Sequence, residues 1–220
     1  MNFSNSEENY LKTIFHLQLD YGTVTTNLLA EKLNARPSSI TDMMKKLSAK
    51  NLVIYKPYYG FHLNSEGKKV ALSIIRRHRL WEYFLSQKLK FGWDEVHVIA
   101  EELEHVSSKK LIEKLDAFLD FPQIDPHGDP IPDSKGKIRT ANKLTLNQLP
   151  LNQPARVTRV NNQSTEILEL LQMKSISIGS EVEVKKHFVF DGSLTIKIKP
   201  NKTETISEQL AKNIFVKNEL

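Results

Sequence analysis

The sequence predicts a mainly α-helical protein that ends in a small β domain. Between residues 6 and 119, apolar residues recur at helical spacing, interrupted by short turns and one hairpin. From residue 144 the pattern changes to short stretches in which apolar and polar residues alternate, as in strands. The segment 125–132 between these regions carries three prolines. At 220 residues, the chain is long enough for one large domain or two modest ones.

Three helices and a hairpin are predicted near the N-terminus. Asn27 is expected to cap the second helix, and Pro37 to open the third, where its missing N–H costs nothing. The predicted helices and then the two strands cover 6–19, 27–33, 37–47, 52–55 and 61–63. This order of elements is typical of a winged helix-turn-helix, although another small three-helix domain can share it.

The third helix is predicted to enter the major groove of DNA. Its apolar residues Ile40, Met43, Met44 and Leu47 are expected in the core, which leaves small hydroxyl side chains and lysines outward. Hydroxyls and lysines suit base edges and phosphates, and a net charge of +5 permits binding to a polyanion. The residues predicted to contact DNA, including one on the hairpin, are Arg36, Pro37, Ser38, Ser39, Thr41, Lys45, Lys46 and Lys56.

The run 93–119 contains no proline or glycine and carries potential metal ligands. If it is helical, His97, Glu101, Glu104 and His105 stand at i, i+4, i+7 and i+8 and share one face. Such a stripe is costly to bury unless something pairs its charges, and a divalent metal would pair them. The alternative is a solvated acidic face with incidental histidines.

Further potential ligands flank this run. The preceding helix, predicted over 65–90 with Ser65 as its cap, places His78 and Glu82 four residues apart. The proline-rich turn after the run carries Asp125 and His127. Because the chain has no cysteine, disulfides and thiolate zinc sites are excluded, and His, Asp and Glu remain as ligands.

Short strands dominate the predicted C-terminal domain. A helix is expected at 165–173, a hairpin turn at Asp191-Gly192 and a last turn at 206–213. The strands are predicted at 155–160, 180–184, 186–190 and 194–198. Strands of this length suggest a small barrel. No apolar run approaches the roughly 20 residues that span a bilayer, and the N-terminus does not look like a secretory signal, so no membrane partner and a cytoplasmic location are expected.

Several ordered motifs together resemble one known family. They are Asn9-Tyr-Leu-Lys-Thr-Ile-Phe, Arg36-Pro-Ser-Ser-Ile-Thr, Arg77-His-Arg-Leu-Trp-Glu82, Glu101-Glu-Leu-Glu-His105, Pro126-His-Gly-Asp-Pro-Ile-Pro132 and Ile178-Gly-Ser-Glu-Val-Glu183. The chain resembles, over nearly its whole length, the diphtheria-toxin-repressor (DtxR/MntR) family of metal-dependent transcriptional repressors. The resemblance implies a homodimer on a palindromic DNA operator of metal-uptake genes. It also implies a winged helix (1–64), a helical dimerisation and metal-binding domain (65–125), a linker (126–143) and an SH3-like domain (144–220).

The resemblance implies a regulatory metal site built from Glu101, Glu104 and His105, with Asn9 contributed by the first helix. Asn9 stands where the family usually has Asp or Met, and the neighbouring Glu8 is an alternative ligand. At the position of Glu101, iron-type members have a cysteine and manganese-type members a glutamate. An oxygen-rich site of this kind favours Mn(II), with Fe(II) second.

A second metal site is also implied. Its ligands would be His78, Glu82 and His97, with Asp125 and His127 from the proline-rich turn and Gln163 or Glu166 from the C-terminal domain. Smaller manganese-type members have a second glutamate where this chain has Lys12, so a binuclear pair of that kind is not expected.

Two further functions are weighed against a metal-dependent repressor. A di-metal oxidase needs two Glu-x-x-His motifs, and only Glu102-Leu-Glu-His105 matches; P-loop, nucleophile-elbow and His-Glu-x-x-His motifs are also lacking. A winged-helix regulator that senses an organic ligand, with structural histidines, would differ by ignoring Mn(II). The expectation is therefore a DNA-binding repressor rather than an enzyme.

Overall fold

The computed structural model describes residues 3–56, 59–93, 95–106, 108–140, 142–161 and 164–218. The chain forms two compact units. The first consists of 1–78, 103–109 and 132–138, and the second of 79–102, 110–131 and 139–220. None of the described helices is long and apolar enough to cross a membrane.

The first unit contains a winged helix-turn-helix, as predicted. Its elements are α1 (Asn5–Tyr21), α2 (Thr26–Lys32), α3 (Pro37–Ala49), β1 (Val53–Lys56) and β2 (Gly60–Leu63). The two strands pair antiparallel as the wing. Leu11, Ile14, Leu29, Ile40 and Leu47 are fully buried and bring the three helices together around one core.

Hydrogen bonds at the helix ends correct two predicted caps. Thr25, not Asn27, caps α2, because its hydroxyl accepts a hydrogen bond from the Leu28 N–H at 3.2 Å. Asn64, not Ser65, caps the fourth helix by accepting from the Gly67 N–H at 2.9 Å. In α3 the apolar face is narrower than predicted, since Met43 is only partly buried.

Glu7, in the first turn of α1, is a buried acid with strong partners. Its carboxylate lies 2.6 Å from Nζ of Lys50 and 3.3 Å from Nζ of Lys46, and it accepts a hydrogen bond from the Ser4 N–H. Burial alone would raise the pKa of Glu7, but these donors lower it to about 2.

The acid stability of this unit should therefore depend on Glu7. A carboxyl with a lowered pKa stabilises the fold above its unfolded value, near 4.5, and this contribution is lost as pH falls toward 2. We expect Glu7→Gln to cost up to about 3 kcal/mol at pH 6 and almost nothing near pH 2. Urea unfolding followed by circular dichroism at both pH values measures the difference. A loss that is the same at both pH values would contradict the prediction.

Three helices follow the wing: α4 (Ser65–Gln87), α5 (Val96–Val106) and α6 (Lys109–Phe118). The run 93–119 is thus two helices, and the predicted helix 65–90 ends three residues early. Ser108 precedes α6 in the position that serine favours at a helix start. In the second unit, Leu80 of α4 packs with Ile112 and Leu115 of α6.

The rest of the second unit is a five-stranded antiparallel sheet with the order β6-β5-β4-β3-β7. Its strands are β3 (Pro154–Val160), β4 (Glu181–His187), β5 (Leu194–Ile198), β6 (Lys202–Ile206) and β7 (Ile214–Asn218), with α7 (Thr165–Met173) and α8 (Glu208–Asn213). The predicted strands 180–184 and 186–190 merge into β4, which has a bulge between Val184 and Lys186 and ends at His187, so residues 188–190 are not part of a strand. Strands β6 and β7 were not predicted. The fold class, mainly α with a small β domain, is confirmed.

Candidate metal centres and DNA-binding surface

Glu104 is the centre of a buried polar cluster in the first unit. Its side chain is fully buried, and its two oxygens contact different helices. Oε1 accepts from Nζ of Lys12 on α1 at 2.7 Å, and Oε2 lies 2.7 Å from Nδ1 of His78 on α4. Burial would raise the pKa of Glu104, but His78 and Lys12 together lower it. Glu104 is therefore held as a carboxylate.

His105 connects the same cluster to the first turn of α1. Its Nδ1 lies 2.7 Å from Oε2 of Glu8, and its Nε2 lies 3.5 Å from Oε1 of Glu104. Glu8 also accepts from a guanidinium nitrogen of Arg77 at 2.6 Å. The structure therefore brings the predicted ligands Glu104 and His105 together with Glu8, the alternative ligand of the first helix.

Asn9 carries a further oxygen that could serve as a ligand by its chemical type. Its Oδ1 is buried, and among the described residues no group donates a hydrogen bond to it. A buried acceptor left in this state costs about 1–3 kcal/mol. An amide oxygen of this kind is a ligand type that an oxygen-preferring divalent cation accepts. Carboxylates, an imidazole and an amide oxygen are ligand types that suit a metal of the Mn(II) class.

Glu101, the remaining predicted ligand of the regulatory site, is an exposed residue of α5. Its Oε1 lies 3.9 Å from Nε2 of His97 in the second unit. Its participation in the regulatory site, and that of His78 in the second site, remain predictions.

A second group of potential ligands is buried in the second unit. Glu82, Asp125 and His127 each offer an atom within 4.8 Å of the others. Oε1 of Glu82 lies 3.7 Å from Nδ1 of His127 and 3.1 Å from Nδ1 of His97. Glu82 therefore contacts both His97 of α5 and His127 of the proline-rich turn.

The tautomer of His127 suits a metal ligand. Its Nε2 lies 2.8 Å from the backbone oxygen of Trp93, so Nε2 carries the proton and donates it to that oxygen. Nδ1 is then left facing Glu82, and it makes no hydrogen bond to the described residues. A metal-bound histidine usually donates its other ring N–H to an acceptor of this kind, which orients the ring.

Asp125 organises the proline-rich turn and concentrates negative charge there. Its Oδ1 accepts from the N–H groups of His127 and Asp129 at 2.8 and 2.9 Å. Burial and the charges of Glu82 and Asp129 raise the pKa of Asp125 to about 7, despite Arg79. Burial would lower the pKa of His127, but Glu82 and Asp125 raise it. This repulsion between carboxyls is what a cation would relieve.

The C-terminal domain adds no described ligand to this group. Glu166 is exposed in the first turn of α7, where hydrogen bonds from its own backbone and from Ser164 lower its pKa. It is not part of the buried cluster. Gln163 lies outside the described residues.

The exposed face of α3 contains the predicted DNA contacts. Exposed residues at its start or on its outer face are Arg36, Pro37, Ser38, Ser39, Thr41, Lys45 and Lys46. Lys46 also pairs with Glu7 at 3.3 Å, an interaction that the sequence did not suggest. The side chain of Lys56 lies outside the described part of the chain.

Comparison with known proteins agrees with this architecture. Three family profiles match: "Iron dependent repressor, N-terminal DNA binding domain" at 2–61, "Iron dependent repressor, metal binding and dimerisation domain" at 64–133, and "FeoA domain" at 144–218. The iron-dependent repressor IdeR of Mycobacterium tuberculosis is 25% identical, with 96% of each chain covered.

Manganese regulators are also similar. The HTH-type transcriptional regulator MntR of Oceanobacillus iheyensis is 31% identical, over 53% of this chain and 78% of its own length. A solved structure described as a manganese-dependent transcriptional repressor complex with manganese is 33% identical. It has a TM-score of 0.88 and covers 97% of this chain and 100% of its own. The chain therefore belongs to the DtxR/IdeR/MntR family of metal-dependent transcriptional repressors, which are DNA-binding proteins and not enzymes.

Proposed function

We propose that this repressor is activated by Mn(II) and binds a palindromic operator of metal-uptake genes as a homodimer. The observation that carries the proposal is the contact of His105 with the carboxylates of Glu104 on α5 and Glu8 on α1. Asn9, the next residue of α1, adds a buried oxygen that no described group donates to. Mn(II) and Fe(II) both accept such ligands, but the lack of a thiolate favours Mn(II). The resemblance to a structure that contains manganese supports the same choice.

The regulatory site would be held by Glu104, His105 and Asn9, with Glu101 and with Glu8 as the alternative acid of α1. A bound divalent cation would supply positive charge that neutralises these carboxylates. Glu8 and Asn9 belong to the helix whose Leu11 and Ile14 support the DNA-binding core. Fixing α1 against α5 would therefore fix the winged helix, so that two α3 helices of a dimer meet grooves about 34 Å apart.

The second site would use Glu82, His97, Asp125 and His127, with His78 as a further candidate. Its cluster is anchored to the domain matched by the FeoA profile, because the backbone oxygen of His127 accepts from the Val160 N–H at 3.0 Å. We propose a supporting role for this site. It would hold the proline-rich turn and the sheet together.

A homodimer is proposed from the matched dimerisation domain and from exposed apolar side chains in it. Val98 of α5 is 58% exposed, and Leu111 and Phe118, seven residues apart on α6, are 44% and 61% exposed. Apolar surface of this kind on adjacent helices is typical of a protein interface.

The function is tested by DNA binding with and without metal. A duplex is first selected from a random library with the Mn(II)-loaded protein. Its dissociation constant is then measured with Mn(II), with Fe(II) under anaerobic conditions, and with chelator. We expect Mn(II) to tighten binding at least 100-fold and Fe(II) to act more weakly. Equal affinity with Mn(II) and with chelator would refute metal dependence, and a stronger effect of Fe(II) would refute the choice of metal.

Lys12 should set the metal affinity of the regulatory site. Its ammonium pairs with Glu104 at 2.7 Å, so a cation must compete with a charge that the protein already supplies. We expect Lys12→Met to tighten Mn(II) binding about tenfold, or about 1.4 kcal/mol. Isothermal titration calorimetry with Mn(II) measures this, with Lys69→Met, which removes an exposed pair with Glu66, as the control. Unchanged or weaker binding would show that Lys12 does not oppose the metal.

A further inference from the structure

The first turn of α1 carries two consecutive buried acids that contact different elements. Glu8 contacts His105 of the regulatory cluster at 2.7 Å and Arg77 at 2.6 Å. Glu7 contacts Lys46 and Lys50 at the end of α3, the helix that carries the proposed DNA contacts and is called the recognition helix below. Consecutive residues of a helix point about 100° apart, so one turn of α1 faces both the metal ligands and the DNA-binding helix.

The contact of Glu7 with α3 is well defined. The Glu7 side chain is 2% exposed, and its Oε1 accepts from Lys50 at 2.6 Å and lies 3.3 Å from Lys46. Its Oε2 accepts from the Ser4 N–H at 2.9 Å, which completes the capping box of α1. Lys50 also lies over the ring of Phe3 at 5.3 Å. Both oxygens of Glu7 are thus engaged, one by α3 and one by the start of α1.

This arrangement joins the metal site to the recognition helix through one rigid turn. The capping box ties Ser4 to Glu7, and the Glu8 N–H donates to the Ser4 backbone oxygen at 3.0 Å, so a shift of Glu8 displaces Glu7 as well. Because Glu7 is paired with lysines in the last turn and at the C-cap of α3, its displacement moves the end of that helix. Lys46 is also a proposed DNA contact. Its ion pair with Glu7 therefore competes with binding to a DNA phosphate.

We propose that Glu7 is a positioning residue that couples the regulatory metal site to the recognition helix through Lys46 and Lys50. The proposal rests on the proposed metal-dependent function. If Glu7 instead only anchors α3, the anchor acts equally with and without metal. The two possibilities differ in how α3 responds to metal, not in how stable α3 is.

Hydrogen exchange with and without Mn(II) distinguishes them, and it requires no DNA. The peptides compared are 4–12 of α1, 103–105 of α5 and 44–50 of α3. In the wild type we expect Mn(II) to slow exchange at least threefold in all three. In Glu7→Gln, which keeps the size and capping oxygen of the side chain, the slowing should persist in α1 and α5 and largely disappear in α3. Mn(II) stoichiometry should be unchanged.

Two further variants make the test specific. Lys46→Gln combined with Lys50→Gln removes the same pairs from the side of α3 and leaves the cap of α1 intact, so it should reproduce the loss even if Glu7→Gln is unstable. Glu66→Gln, which removes an exposed Lys69 pair on α4, should respond like the wild type.

The outcomes distinguish a failure of the coupling role of Glu7 from a failure of the metal-dependent function. A response of α3 that is unchanged in both variants, or missing in a wild type whose α1 and α5 respond, would overturn the role of Glu7 alone. A wild type in which Mn(II) slows exchange in none of the three peptides would overturn the metal-dependent function and the coupling with it.

Discussion

Replacing Glu104 by glutamine is expected to abolish the Mn(II)-dependent gain in DNA affinity, a loss of at least about 100-fold. The carboxylate of Glu104 is fully buried and contacts Lys12, His78 and His105, so it is the common partner of α1, α4 and α5 in this cluster. A neutral amide supplies neither the charge nor the second acceptor that these groups and a divalent cation require. DNA binding with and without Mn(II) measures the loss.

The control for this variant is Glu102→Gln. Glu102 lies on the same helix two residues away, but it is exposed. The Glu102→Gln variant should keep the full Mn(II)-dependent gain in DNA affinity. Because Glu104→Gln leaves Lys12 and His78 beside a neutral group, it should also lose about 1–3 kcal/mol of stability, which circular dichroism will show. A metal response that survives in Glu104→Gln, or disappears in Glu102→Gln, would place the regulatory site elsewhere.

Gly128→Ala should cause a large loss of stability in the second unit. Gly128 has φ +87°, and a Cβ placed on it would lie 1.9 Å from the backbone oxygen of Thr158 and 2.8 Å from Cα of Arg159. The proline-rich turn and β3 must separate to make room, which breaks the hydrogen bond from Val160 N–H to His127 O. We expect a cost of about 3 kcal/mol or more, and weaker Mn(II) binding at the second site.

Gly179→Ala is a closely matched control. Its φ is +89°, and a Cβ there would meet nothing within 4 Å. The strain of a left-handed alanine, about 1–2 kcal/mol, is therefore common to both variants, and the difference measures the close packing at Gly128. Thermal unfolding followed by tryptophan fluorescence is suitable, since Trp93 stacks on His127 at 5.8 Å. Equal losses in the two variants would show that the turn can move away from β3 at little cost.

Most of the helical fold follows from local patterns. The burial of Ile40, Met44 and Leu47 in α3 and the bounds of α7 agree with the predictions because apolar spacing and turn residues are local signals. The break between α5 and α6 has neither proline nor glycine, so it was not predicted. Strand β6, with the sequence Lys-Thr-Glu-Thr-Ile, is too polar and short to be recognised without its pairing to β5.

The candidate sites were only partly predictable for a similar reason. Helical spacing places Glu104 and His105 on one face. The family resemblance adds a ligand from α1, at Asn9 or Glu8. Spacing alone does not show that Lys12 pairs with a residue 92 positions away, or that Glu7 reaches α3. Packing also decides that Oδ1 of Asn9 is buried without a hydrogen-bond donor among the described residues. Asn9, which departs from the usual family residues, is therefore compatible with a ligand role that the sequence left open.

The most direct test of metal-activated DNA binding is reciprocity between the two ligands. The Mn(II) affinity of the protein is measured alone and with saturating selected duplex, and the duplex affinity is measured with and without Mn(II). If metal binding and DNA binding favour the same arrangement, each must raise the other by the same factor, which we expect to be 100-fold or more. An Mn(II) affinity that does not change when DNA binds would contradict metal activation.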